Sequence, residues 1–159
     1  MQKKIFFLIA AVIAALSLSA CKMEIKPAEP NGNFSTQTRM TAIEYSIYMN
    51  KQITIFANAI MTRMQAVHNM NGTMYSREAE LAEAAKKTLQ EARDEVETTY
   101  PASGKDDDRE TVLQTMDTAL NDFGTYIQAL KEQKDVSDYA DIFENDFNEL
   151  TGLATLYTQ

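Results

Sequence analysis

The chain has 159 residues, 45% of them hydrophobic, a formal net charge of −8 and a single cysteine. One cysteine excludes an intramolecular disulfide framework, and three prolines with five glycines describe an ordered, helix-rich chain. Charge is uneven: positions 22–93 hold nine Lys/Arg against seven Asp/Glu, whereas 94–159 hold four against sixteen, the reverse of the basic stripe of a nucleic-acid binder.

The first element is the stretch 1–20. MQKK carries two positive charges, and IFFLIAAVIAALSL follows with fourteen uncharged residues. A spanning helix needs about 20 apolar residues. A basic start, a short apolar run and small residues before a cleavage point predict a secretion signal instead. The run ends in Leu18-Ser19-Ala20-Cys21, an aliphatic residue, two small residues and a cysteine. This box resembles the lipobox of bacterial lipoproteins, and the resemblance covers about the first 21 positions. It implies that residues 1–20 are removed and that Cys21 becomes the lipidated first residue of the mature chain. Its diacylglycerol and any further acyl chain, palmitate among them, would hold the protein on the extracytoplasmic face of the cell membrane, or on the outer membrane of a two-membrane host. Each buried CH₂ of such an anchor contributes about 0.8 kcal/mol.

Positions 21–36 form the next unit. They contain two of the three prolines and an Asn-Gly pair, and predict a flexible tether. The unit 37–159 then shows four segments of helical periodicity. In the first, from about Gln37 to Met70, Ala42, Tyr45, Met49, Ile53, Phe56, Ile60, Met64 and Val67 form one stripe, closed by Asn71-Gly72 with Gly72 as a left-handed cap. The second starts at about Ser76 as N-cap, with a stripe of Leu81, Ala85, Leu89, Ala92 and Val96, and stops at Tyr100-Pro101. The third, opened by an Asp107/Glu110 capping box, repeats at Leu113, Met116, Leu120, Phe123, Ile127 and Leu130. The fourth, capped by Asp135 or Ser137, runs through Tyr139, Phe143, Phe147, Leu150, Ala154 and Tyr157. Short connections make neighbours antiparallel, so the expected fold is all-α, an up-down-up-down four-helix bundle. The alternative joins segments three and four into one long helix of a three-helix bundle, because 131–137 holds neither Pro nor Gly.

Two surfaces draw a functional reading. MTRMQAVHNMNGTM, positions 61–74, holds the only histidine and four of the nine methionines. Thioether and imidazole ligands suit Cu(I), and helical spacing selects Met64, His68 and Met74 as the best set, with Met61 second. The competing reading is a helix end filled with adaptable apolar side chains. The other surface is DVSDYADIFENDFNE, which carries no Lys or Arg. Asp138, Asp141 and Glu144 form a candidate face for a cationic partner, against the alternative of a solvated helix side.

Asp146 falls by helical angle inside the apolar arc of segment four, and Arg63 inside that of segment one. At similar heights on first and last helices they are expected to form an ion pair. Catalysis finds no support: a di-metal carboxylate bundle needs Glu-x-x-His on two helices, and the chain has one histidine. The expectation is a membrane-anchored, non-enzymatic binding module for an envelope partner, without nucleic acid and with no cofactor beyond the lipid. The alternative is a lipid-anchored Cu(I) protein.

Overall fold

The structure, a computed structural model, describes residues 39–71 and 73–157. The leader, Cys21, the tether and Gly72 lie outside the described residues. The described residues form α1 (Ala42–His68), α2 (Tyr75–Thr98), α3 (Asp106–Lys131), α4 (Tyr139–Ala154) and a 3-10 turn (Thr155–Tyr157).

The helix starts obey local chemistry more than the predicted caps do. Thr41 Oγ1 accepts the Glu44 N–H at 3.2 Å and Glu44 Oε2 accepts the Thr41 N–H at 2.9 Å, a closed capping box that starts α1. The same bond from Thr41 holds the Glu44 carboxyl below its usual range. Ser76 does not cap α2; it lies one residue inside the helix, and Met74 holds the cap position without a side-chain bond. The Asp107/Glu110 box does not form either. Lys105 occupies the cap position and Asp106, Asp107 and Asp108 fill the first turn of α3, where carboxylates favour the positive end of the helix dipole. Asp135 Oδ1 accepts the Ser137 N–H at 2.9 Å, making a turn ahead of α4, whose cap position is Asp138.

The connection 132–138 settles four helices over three. Gln133 adopts φ 53°, Lys134 N–H donates to the Ala129 carbonyl at 3.0 Å and Gln133 N–H to that of Leu130 at 3.1 Å. This pair of bonds is the Schellman ending of a helix. It is built here on a glutamine in the left-handed region.

Each helix packs on its chain neighbour and α4 closes the ring against α1, an up-down-up-down four-helix bundle. Cross-links fix the ends. At one end Tyr45 of α1 meets Tyr157 edge-on with ring centroids 5.9 Å apart, and Asn50 Nδ2 donates to the Tyr157 carbonyl at 2.9 Å. There too Arg109 Nη1 donates to the Glu97 and Thr99 carbonyls at 3.1 and 3.2 Å, satisfying groups that the end of α2 leaves unpaired. At the other end Tyr126, Tyr139 and Phe143 meet in tilted and edge-on contacts across the α3–α4 seam, with Phe123 against Phe143 at 5.1 Å.

The predicted stripes of α1 and α3 are buried as predicted, apart from exposed Ala42. On α2, Leu81 is 40% exposed and Ala82 takes its place in the core. The rotation follows from Glu78, which is buried one turn before Ala82 and aims the helix by its polar contacts described below. On α4, Phe143, Phe147 and Leu150 are buried, while Tyr139 and Ala154 are half-buried.

Candidate functional site on the fourth helix

The period of α4 sends Phe143, Phe147 and Leu150 inward and leaves Asp138, Asp141 and Glu144 exposed on the outer side. The three predicted carboxylates therefore do share the solvent side of one helix. Among the described residues, about half of the acids on α2 and α3 are matched with bases, whereas Glu91, Glu95, Asp106, Asp107, Glu110 and Asp122 are not. Glu83 meets Lys131 at 2.5 Å, Asp108 meets Lys105 at 2.8 Å, and Asp117 meets Arg93 at 2.8 Å. Arg93 also grips Glu97. These carboxylates hold the Arg93 guanidinium above its ordinary range, Asp117 most strongly. Among the described residues, none of Asp138, Asp141, Glu144, Asp146 and Glu149 has a basic group within ion-pair distance.

Asp146 and Arg63 are both buried, as their helical angles predict, but they do not pair with each other. Arg63 Nη1 lies 3.0 Å from Glu78 Oε1 on α2, and Tyr126 Oη on α3 donates to the same oxygen at 3.1 Å. The reason is rotational. Arg63 follows Gln52 by eleven residues, close to three whole turns, and Gln52 Nε2 donates to Glu95 of α2 at 2.7 Å. That side of α1 faces α2, not α4. Asp146 instead comes under the influence of Asp122 on α3 and of Glu149 one turn further on. Burial first, then those two carboxylates, pushes its carboxyl up to about 7. Burial likewise raises Asp122.

The methionine–histidine set differs in burial. Met64 is 8% exposed and packs in the core, whereas His68 is exposed at the end of α1 and Met74 is 41% exposed at the start of α2. Met61 is half-buried. Among the described residues, no group of three His, Cys, Asp or Glu side chains is arranged to hold a metal ion. No described helix is long and apolar enough to cross a membrane.

Glu78 and Asp122 are the ionisable groups that periodicity did not single out. Glu78 sits in the first turn of α2, where the helix dipole favours an acid in any case, and Asp122 sits on α3 next to Phe123 of the apolar stripe. The available signal was subtle: Glu78 shares a face with Ala82, Leu89, Ala92 and Val96, and that face is narrow and alanine-rich. Comparison of the chain with protein-family models, with curated proteins and with solved structures gives no match.

Proposed function

We propose that this protein is an extracytoplasmic lipoprotein, anchored through Cys21, whose helical bundle binds a cationic partner protein of the cell envelope and performs no chemistry. The observation that carries the docking part is the contrast in charge matching. Among the described residues, several acids on α2 and α3, Glu78, Glu83, Asp108 and Asp117 among them, have basic neighbours while others such as Glu91 and Glu110 do not, whereas on α4 none does, Asp138, Asp141 and Glu144 included. Unmatched like charges repel one another, so an ion pair supplied from outside relieves the face as well as attracting the partner. The rim exposure of these groups makes their contribution one of association rate and specificity more than of affinity.

Two measurements test the reading. Mass spectrometry of the membrane-extracted protein is expected to show an acylated Cys21 as first residue, and Cys21→Ser to release the chain from the membrane. Retention of the leader or an unmodified cysteine overturns the anchoring. Crosslinking in the native membrane is expected to trap a basic partner that is lost in the Asp138→Asn/Asp141→Asn/Glu144→Gln variant and in high salt. Unchanged recovery overturns the docking face.

A further inference from the structure

Asp146 projects from α4 among Phe143, Phe147 and Leu150, is 5% exposed, and its Oδ2 is sealed from solvent without a hydrogen-bond partner. An ionised carboxylate in that position bears a cost of burial that no partner on Oδ2 offsets. A neutral carboxyl bears far less. The charged groups that act on it are Asp122 from α3 and Glu149 from α4 itself, both negative. The other helix packed on α4 is α1, and its buried cation, Arg63, is engaged by Glu78.

We propose that Asp146 is a proton-operated latch for α4: protonated, it lets the helix close on α3, and ionised, it loosens that seam by seeking water. The helix it would release is the shortest of the four, with 16 residues. It is entered through the strained Gln133 turn and followed by a single 3-10 turn. It packs far more extensively on α1 than on α3, so the α3 seam is the side where local opening starts most easily. The neighbouring carboxylates Asp122 and Glu149 move the response toward higher pH, because each resists a further negative charge beside it. With the Asp146 carboxyl raised to about 7, the latch works across mildly acidic to neutral conditions. An externally displayed domain meets such conditions directly, but the inference does not depend on the anchoring.

Deuterium uptake by α4 in the full chain, held in zwitterionic detergent and corrected for intrinsic exchange, tests the latch at pH 5 and pH 8. Wild-type protection of 139–154 is expected to fall at least about tenfold at the higher pH, one tenfold step per unit of differential protonation. D146N is expected to hold its protection constant. A smaller wild-type fall, or an equal fall in D146N, overturns the proposal. Should D146N not fold, a carboxyl-carbon NMR titration of the wild-type Asp146 decides. A midpoint at or above about 6 supports the latch and one below it overturns it, set against an ordinary aspartate value of about 3.9.

Discussion

Arg63 and Glu78 meet at 3.0 Å inside the bundle, and Tyr126 donates to the same Glu78 oxygen, so one carboxylate joins α1, α2 and α3. Burial nevertheless raises Glu78 above its usual range, outweighing Arg63 and Tyr126, which both pull it down. Desolvation thus exceeds what the partners return, and the trio sets helix register and rotation more than it adds stability. The outward turn of Leu81 is a visible consequence. Glu78→Ala, which strands the guanidinium, is expected to cost about 3–5 kcal/mol. Replacing all three groups by apolar ones, Arg63→Met/Glu78→Leu/Tyr126→Phe, is expected to cost less than that single change. Urea unfolding of the two variants checks it; a triple variant less stable than Glu78→Ala would show that the trio is a net source of stability.

Among the described residues, Gln133 is the one non-glycine residue in the left-handed region, at φ 53°. A residue with a Cβ costs roughly 1–2 kcal/mol in the left-handed region, and glycine avoids that cost while gaining some freedom in the unfolded chain. Gln133→Gly is therefore expected to raise stability by about 0.5–1 kcal/mol, read as a higher melting temperature with an unchanged helical circular-dichroism signal. Gln133→Val is expected to do the opposite. A neutral Gly variant would mean that the Gln133 side chain contributes something that its exposed position does not reveal.

That turn also explains what sequence could and could not disclose. Stripes such as Leu113, Met116, Leu120, Phe123, Ile127 and Leu130 repeat because one helix side must leave water, and they announce α3 directly. The end of α3 is coded by backbone hydrogen bonds to Ala129 and Leu130, which a glutamine can satisfy as a glycine does. No residue type marks it, which left the three-helix alternative open. The polar core was half legible. Helical angle finds Arg63 and Asp146 inside the apolar arcs, yet partner choice depends on which neighbour each arc faces. Arg63 and Asp146 are turned toward different helices, α2 and α3. The exposed acids of α4 were legible in full as a face, whereas their lack of basic neighbours is a tertiary fact that needed the packing of α1 and α3 around them.

Gly124 lies within α3, where glycine costs about 1 kcal/mol relative to alanine. A Cβ built there would come 2.7 Å from Lys86 Nζ, the far end of a flexible side chain that can move aside into the groove between α2 and α3. Gly124→Ala is expected to stabilise the bundle by about 0.5–1 kcal/mol, measured by thermal unfolding. A loss of stability instead would mean that Lys86 is held over Gly124 for a reason beyond packing, and Lys86→Ala in the same background would then restore the gain.

Asp146 predicts an unusual pH profile for global stability. Its folded-state value, about 7, lies above the unfolded one, so the folded chain binds the proton more tightly. Its contribution is fully present below about pH 4, declines as pH rises toward 7, and is gone above that. Exposed carboxyls with lowered values act in the opposite sense. Glu44, held down by the Thr41 backbone, and Asp135, held down by that of Ser137, favour the fold once pH exceeds about 4. The two trends cross, placing maximum stability on the acidic side of neutrality. D146N removes only the first. Guanidinium unfolding from pH 4 to 8 is therefore expected to show the variant gaining on wild type steadily as pH rises, by roughly a few kcal/mol at most, with no further change above pH 8. A difference between the two proteins that stays constant over that range would mean Asp146 titrates as a surface aspartate does, and that its burial is relieved as soon as it ionises.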